Sequence, residues 1–365
     1  MIYLDNGATS FHKPPAVRQA MNWALDNCAN PGRGGHSGAM AAAKTVFDCR
    51  EQAAEIFDCQ PEQVVFTANC THGLNLAIHS LIKPGSRVAI SGFEHNAVTR
   101  PLYARNVQTV VVGRKLFDQA DTLTHFEDAL RCGVSAAIFT HCSNVFGYIL
   151  PVQEIAALCH KYGVPFVVDA AQSAGVLPVS LTKLGAHFIA MPGHKGLLGP
   201  QGTGLLLCGG SANPLLQGGT GSNSRLQSMP QELPDRLEAG TLNVPGIAGL
   251  GAGLQYLKKT GIDRIYNRER RAAQFLAREL EKQGYKVFYG ENQSGTVSFA
   301  AITDCEELAE KLGKRGVAVR AGLHCAPLAH ESAGTLQSGT VRVSFGHDAS
   351  LQQAKMFLQI MKGIK

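Results

Sequence analysis

An aspartate and a lysine that each follow an apolar run are the residues of this chain best suited to chemistry. Asp169 follows the run 164–168, and Lys195 lies among glycines shortly after the run 187–190. Pyridoxal phosphate needs a carboxylate that keeps its pyridine nitrogen protonated and a lysine amine that holds its aldehyde as a Schiff base. The pair therefore predicts a pyridoxal phosphate site, in which the freed Lys195 amine also acts as a base.

Each residue of this pair also has a simpler interpretation. Aspartate is a favoured helix N-cap, and a lone lysine in a glycine-rich loop is usually a surface residue. Gln172, three residues after Asp169, favours the cofactor interpretation, because its amide can hydrogen-bond the phenolic oxygen of the cofactor.

Two further segments could contact the same cofactor. Residues 66–75 indicate a strand, a turn and the start of a helix, where backbone N–H groups bind phosphate and the side chains of Thr71 and His72 add donors. His95 follows the apolar run 88–91, and its flat imidazole can stack on a pyridine ring and move protons near neutral pH. A lone histidine is more often structural, but the position after a strand favours function.

One cysteine differs from the other nine of the chain. Most of the others lie in or beside apolar segments, as small buried hydrophobic residues do. Cys325 lies in a loop with Gly and Pro, beside His324 and five residues after Arg320, where positive charge favours a thiolate. Arg342 is suited to clamp a substrate carboxylate, although a strand-surface arginine is the plain alternative.

The elements that must position these residues alternate between helix and strand from about residue 15 to 253. The predicted strands are 64–67, 88–91, 108–112, 136–140, 165–168, 187–190 and 204–207, and the predicted helices include 17–25, 41–57, 73–81 and 152–161. This pattern predicts a mostly parallel sheet covered on both faces, whose ligands bind beyond the carboxyl ends of the strands. Residues at that edge are Thr71, His95, Asn144, Asp169 and Lys195.

The pattern changes after about residue 253. Helices are predicted at 262–283, 305–312 and 350–362, with strands at 286–289, 296–300, 317–320 and 340–344. We therefore expect an α/β protein with two domains. The large cofactor-binding domain spans 15–253, and a smaller α+β domain combines 1–14 with 254–365 and carries the cysteine loop.

Composition narrows the partners that we expect. The basic residues of 264–278 alternate with acidic ones, which favours a solvated helix face over a nucleic-acid site. We expect no membrane span and no secretory signal, and ten cysteines without a leader indicate the reducing cytoplasm. The sequence has no Cys-x-x-Cys pair, so we expect no structural metal site.

These motifs resemble those of the cysteine desulfurases and selenocysteine lyases of the class V aminotransferase family, which have the type I pyridoxal phosphate fold. The matching residues are Asp169 with Gln172, Gly193-His194-Lys195, Glu238-Ala-Gly-Thr-Leu-Asn243 and Arg320-x-Gly-x-His-Cys325. The short cysteine loop is similar to that of the type II branch. Cys70 and His72 stand where relatives often have Thr and Glu.

The resemblance implies conversion of L-cysteine to L-alanine, with a persulfide on Cys325 that passes to a sulfur-acceptor protein. It implies catalytic roles for Lys195, Cys325 and His95, and phosphate contacts from His194 and Thr71. Asn144 is expected near cofactor and substrate, with Arg342 and Arg320 binding substrate. Thr241 is expected to reach the phosphate of a neighbouring subunit, which implies a homodimer.

Other functions fit the same residues. A selenocysteine lyase shares all of them, and for an aminotransferase or epimerase of the same family Cys325 is incidental. A sulfur carrier that no longer catalyses is the alternative from another class, against which Asp169, Lys195 and Cys325 argue together. The sequence leaves the acceptor open, with iron–sulfur cluster assembly among the uses of the sulfur.

Overall fold

A computed structural model describes residues 1–32, 34–222, 224–302 and 304–364 of the chain. The strands are β1 (Ile2–Tyr3), β2 (Val64–Thr67), β3 (Arg87–Ser91), β4 (Gln108–Val112), β5 (Ala136–Thr140), β6 (Phe166–Asp169), β7 (Phe188–Pro192), β8 (Gly204–Cys208), β9 (Val287–Phe288), β10 (Thr296–Phe299), β11 (Val317–Ala318), β12 (Arg320–Gly322) and β13 (Thr340–Ser344).

Helices surround these strands along the whole chain. They are α1 (Pro15–Asn27), α2 (Ser37–Phe57), α3 (Cys70–Leu81), α4 (Asn96–Ala104), α5 (Gln119–Arg131), α6 (Val152–Tyr162), α7 (Leu181–Leu184), α8 (Val244–Thr260), α9 (Ile262–Lys282), α10 (Cys305–Lys314), α11 (Pro327–Ala333) and α12 (Leu351–Lys362). Within the described residues, no helix is both long and apolar enough to cross a membrane.

The large sheet has seven strands in the order β2-β8-β7-β6-β5-β3-β4. All neighbouring pairs from β7 to β4 are parallel, and β8 runs antiparallel to both β7 and β2. The apolar core on one face includes residues of α2, α5, α6 and α8, and the core on the other includes α3 and α4. This double cover explains why the central strands are continuous apolar runs rather than alternating ones. The predicted α/β fold with a mostly parallel sheet is confirmed.

The C-terminal part forms a separate four-stranded antiparallel sheet in the order β12-β13-β10-β9. One apolar cluster joins Leu4 of the N-terminal segment to residues of α9, α10 and α12. Residue 253 lies inside α8, which continues to Thr260. The division into 15–253 and 1–14 with 254–365 stays a prediction.

The sequence prediction of one strand over 317–320 is wrong. The structure has two short strands there in different sheets: β11 pairs with β1, and β12 pairs with β13. Helices α4, α5, α7, α8 and α11 were not predicted. α4 contains Pro101, which disfavours a helix by propensity, yet its buried Ala97, Val98 and Leu102 pack into the core.

A buried ion pair fixes the segment that carries Thr241. Arg50 of α2 donates to both carboxylate oxygens of Glu238, at 3.0 and 2.9 Å. Glu238 also accepts from the backbone N–H of Phe66 at 2.7 Å. Both charged residues are 8% exposed. Loss of one partner therefore leaves a buried charge without compensation.

We expect Arg50→Met to lower the free energy of unfolding by about 3–5 kcal/mol, because Glu238 stays buried. Chemical unfolding of purified protein measures the difference. Lys44→Met is the matched control, since Lys44 pairs with Asp48 on the exposed side of the same helix. Lys44→Met should lower the free energy of unfolding by about 0.5 kcal/mol or less. Equal losses in the two variants would contradict the assigned role of burial.

Candidate active site

The carboxyl ends of the parallel strands form one wall of a cleft of about 510 Å³. The predicted site residues on its wall are Thr71, His95, Asn144, Asp169, Gln172, His194 and Lys195. The expectation that residues after separate strands converge at one edge is met by the geometry. Cys325, Arg342, Arg320, His72 and Thr241 do not line this cleft.

Asp169 is the last residue of β6 and only 2% exposed. Its Oδ1 accepts from the Ala171 N–H at 2.9 Å and from the Cys70 thiol at 3.5 Å. Within the described residues, its Oδ2 has no hydrogen-bond partner. No helix begins beside it, since the next one, α7, starts at Leu181, so the N-cap interpretation is wrong. A buried carboxylate with a free oxygen can hold a protonated nitrogen.

Lys195 follows β7, which pairs with β6, so its amine lies in the same cleft as the Asp169 carboxylate. Burial lowers the pKa of the Lys195 amine, while the neighbouring Cys70 and Asp169 side chains raise it. The hydrogen bonds of the described residues include none from its Nζ. Lys195 is partly buried rather than on the open surface, and its amine is available for a carbonyl group.

The N-terminus of α3 contributes Cys70 and Thr71 to the cleft. Its N-cap residue Asn69 accepts from the His72 N–H at 2.9 Å. The N–H groups of Cys70 and Thr71 therefore remain as donors of the first turn. The ring of His72 turns back to accept from the Ala68 N–H at 3.3 Å, so the structure does not bring its side chain into the cleft.

His95 is held in one tautomer at the start of α4. Its Nδ1 accepts from the Ala97 N–H at 3.0 Å, so the neutral ring carries its proton on Nε2. Burial lowers the pKa of His95, while Asp169 opposes that shift. The imidazole therefore offers an N–H donor rather than a charge to the cleft.

Glu94, which sequence reasoning missed, fixes the backbone just before His95. It is fully buried, and its Oε1 accepts from the Thr140 N–H at 2.8 Å and the Ser91 N–H at 3.3 Å. These bonds tie the ends of β5 and β3 together. Burial raises the pKa of Glu94 to about 8.

The N-terminal segment holds two residues of the cleft wall, Gln172 and His194. Gln172 donates from Nε2 to the Gly7 carbonyl at 2.9 Å, which leaves its Oε1 free as an acceptor. Thr9 donates to the His194 carbonyl at 3.1 Å, and its hydroxyl lies 3.0 Å from His194 Nδ1. Burial is the main cause that lowers the pKa of His194 to about 4, so its ring is neutral at pH 7.

Arg342 lies behind Asn144 rather than on the cleft wall, and it is only 2% exposed, so the strand-surface interpretation is wrong. Its guanidinium donates to Asp5 Oδ1 at 2.6 Å and to the Asn144 carbonyl at 2.9 Å. Its other N–H groups keep capacity for a carboxylate. Arg320 lies opposite Arg342 in the β12–β13 pair and is exposed.

Cys325 is exposed, but so is Cys132, so exposure alone does not distinguish it. Its backbone does. His324 and Cys325 have left-handed φ angles of 51° and 56°. The Cys325 carbonyl accepts from the Asn96 N–H at 2.8 Å, and the His324 carbonyl accepts from Asn144 Nδ2 at 2.8 Å. The cysteine loop is thereby attached to residues at the cleft.

Thr241 lies in a separate, wider cleft of about 1210 Å³, together with Arg50 and Glu238. The structure therefore does not bring Thr241 to Lys195 within one chain. Besides Glu94, sequence reasoning missed two contacts: that of the Cys70 thiol with Asp169 and that of the Asp5 carboxylate with Arg342. The two residues of each pair are distant in sequence.

The parallel sheet, the buried carboxylate and the free lysine amine at its edge define an α/β enzyme of the type I pyridoxal phosphate fold. The model of the family described as Aminotransferase class-V matches residues 2–357. The chain belongs to this family and, within it, to the cysteine desulfurases.

Individual relatives support this placement. The chain is 31% identical to a probable cysteine desulfurase of Methanothermobacter thermautotrophicus, over 100% of this chain and 94% of the relative. It is 32% identical to a probable cysteine desulfurase of Pyrococcus abyssi, over 99% of this chain and 94% of the relative. The apo structure of a cysteine desulfurase from Thermococcus onnurineus NA1 superposes with a TM-score of 0.92 at 30% identity, covering 100% of this chain and 94% of that one.

The residues present fit pyridoxal phosphate. The free Oδ2 of Asp169 suits a protonated ring nitrogen, and the unpartnered amine of Lys195 suits an aldehyde. The first-turn N–H groups of α3 suit a phosphate. These three features lie on one cleft.

The lowered pKa of Lys195 can be measured without cofactor. Only neutral amines react with a small acylating reagent, so we expect half-maximal labelling of Lys195 at a pH below the ordinary lysine value of about 10.4. Asp169→Asn should move that pH lower still, because it removes a charge that favours the ammonium form. Peptide mass spectrometry across a pH series gives both values.

Lys161 is the internal control for this labelling. Its hydrogen bond with Glu127 raises its pKa, so it should label only at higher pH. If Lys195 and Lys161 label together, Lys195 does not occupy the desolvated position described here.

Proposed function

We propose that this protein is a pyridoxal phosphate-dependent cysteine desulfurase that converts L-cysteine to L-alanine and carries the sulfur as a persulfide on Cys325. One observation carries the proposal beyond family membership. The loop of Cys325 is hydrogen-bonded onto Asn144, which lines the cleft that holds Asp169 and Lys195. A thiol attached to this cleft is needed for sulfur transfer and serves no purpose in amino-group transfer.

Asp169, Lys195, Thr71, His194, Gln172 and Asn144 are proposed to hold the cofactor. Asp169 keeps its ring nitrogen protonated, and the start of α3 with Thr71 and His194 holds its phosphate. His72 contributes only its part in the helix N-cap, since its ring lies elsewhere. When bound, pyridoxal phosphate supplies a conjugated ring that accepts the electrons of the bonds broken at the substrate carbon.

The remaining steps belong to side chains of this chain. The Lys195 amine takes the proton from the substrate Cα, which its lowered pKa makes easier at neutral pH. The Cys325 thiolate attacks the substrate sulfur, so an S–S bond forms as the C–S bond breaks. The carbon fragment keeps the electron pair of that bond and takes a proton at Cβ, and Lys195 returns the proton to Cα, which gives alanine. His95 donates and accepts protons at its Nε2 atom.

Substrate binding is proposed for Asn144, Arg342 and Arg320. Asn144 already uses Nδ2 and its carbonyl within the protein, which leaves its Oδ1 facing the cleft. Arg342 retains three of its five N–H donors after its bonds to Asp5 and Asn144. The Arg320 carbonyl accepts from His324 of the cysteine loop. Its guanidinium therefore adds positive charge near that loop.

We propose that an acceptor protein in the cytoplasm takes the sulfur, with iron–sulfur cluster assembly as one use. Cys325 is exposed, as delivery to another protein requires. All ten cysteines are free thiols, which suits a reducing compartment.

The first experiment is to add L-cysteine under reducing conditions and to quantify alanine and sulfide. We expect the two products in equal amounts. Cys325→Ser should lower alanine formation on the order of 1000-fold, because the attacking thiol is lost, while the cofactor absorbance stays. Lys195→Ala should abolish turnover because the base is lost. Transfer of the amino group to an oxoacid instead of alanine formation would contradict a desulfurase and favour an aminotransferase.

A homodimer is proposed because Thr241 lies outside the cleft of its own chain. Mixed dimers of a Thr241→Val chain and a Lys195→Ala chain test this. If Thr241 acts across the interface, one site per mixed dimer is complete and binds cofactor with parental affinity. If Thr241 acts within its own chain, the only site with Lys195 should bind about 10-fold more weakly. Absorbance titration with pyridoxal phosphate distinguishes the two.

A further inference from the structure

We propose that His330 is a positioning residue that holds the cysteine loop through a one-way hydrogen-bond chain from Thr335 through His324 to the Arg320 carbonyl. The proposal rests on the proposed function of Cys325 as the sulfur-accepting residue. His330 lies on α11, outside the cleft, and is fully buried. It touches neither substrate nor cofactor.

The direction of the chain follows from its last acceptor. His324 Nε2 lies 3.3 Å from the Arg320 carbonyl, which can only accept, so His324 carries its proton on Nε2. Burial lowers the pKa of His324, so this ring is neutral and its Nδ1 is an acceptor. His330 Nε2, at 3.4 Å from that Nδ1, must then be the donor.

The hydrogen bond with Thr335 defines the tautomer of His330. Burial lowers the pKa of His330 to about 4, so it is also neutral, and its Nδ1 accepts from the Thr335 hydroxyl at 2.8 Å. The two imidazole planes differ by only 10°, with centroids 5.6 Å apart, which suits rings joined end to end through their nitrogen atoms. Every ring nitrogen of the pair therefore has a defined role.

The loop needs such support because its backbone is unfavourable. His324 and Cys325 are consecutive non-glycine residues with left-handed φ angles, a conformation that persists only where the surroundings impose it. On one side, Asn144 and Asn96 bind the carbonyls of these two residues. On the other side, His330 holds the side chain of His324. The chain thus completes a clamp around the residue next to the nucleophile.

The clamp acts on the position of the thiol and not on the cofactor. None of the residues of the chain lines the cleft that contains Lys195 and Asp169. Removal of His330 should therefore impair the step that needs Cys325 and spare the step that needs only Lys195. Exchange of the Cα proton of L-alanine with deuterated water reports the Lys195 step alone, and alanine formation from L-cysteine reports both.

We expect His330→Ala, in the cofactor-loaded protein, to lower kcat for desulfuration by about 100-fold, as misplacement of a reacting group by about 1 Å does. The exchange rate with L-alanine and the cofactor absorbance should stay at parental values. His330→Gln should restore most of the desulfuration, because its amide can donate to His324 and accept from Thr335. His125→Ala is the control for loss of an exposed histidine.

Two results would overturn the proposal: desulfuration unchanged in His330→Ala, or an equal loss of desulfuration and exchange, which indicates a general structural role. If His330→Ala does not fold, Thr335→Val provides the test, since it removes only the first donor of the chain. That variant should lower desulfuration and leave exchange unchanged. Cys325→Ser distinguishes a failure of the proposed function of Cys325 from a failure of the positioning role of His330. If that variant keeps full turnover, the proposed function fails, whatever the His330 variants show.

Discussion

The buried carboxylate of Asp169 is the constraint on which the rest of the site depends. It ends a strand with no exposed residue, and Ala171 and Cys70 satisfy only one of its oxygens. A charge in that position is costly unless a cation or a strong donor completes it. The neighbouring strand β7 leads to the Lys195 amine, so the fold brings a carboxylate and an amine to one cleft. The proposed cofactor binding and proton transfer both depend on that proximity.

The buried guanidinium of Arg342 connects the two sheets. The guanidinium of Arg342, on β13 of the four-stranded sheet, reaches Asp5 of the N-terminal segment and the Asn144 carbonyl, which follows β5 of the large sheet. Asn144 in turn holds the His324 carbonyl. One buried cation therefore fixes the N-terminal segment and, through Asn144, the cysteine loop. Because breaking a buried pair leaves an uncompensated charge, these elements are held in one arrangement.

The sequence was sufficient where local pattern determines structure. Continuous apolar runs predicted the strands of the large sheet, and their ends predicted the convergence of Thr71, His95, Asn144, Asp169 and Lys195. The sequence was insufficient where the residues in contact are far apart along the chain. The residues 317–320 look like one strand, but pairing with β1 on one side and β13 on the other divides them. No local signal predicts that Asp5 meets Arg342, that Cys70 meets Asp169, or that the His72 ring turns away.

Under the proposed function, the cysteine must satisfy two opposed requirements. It has to be exposed to hand sulfur to another protein, and it has to lie in a fixed position relative to the substrate sulfur. A flexible loop meets the first requirement and loses the second. In this chain the exposed residue lies in left-handed backbone between carbonyl contacts to Asn96 and Asn144 and a buried histidine pair. The side chain is thus open to solvent while its backbone is fixed, which is how a short loop can serve both substrate and acceptor.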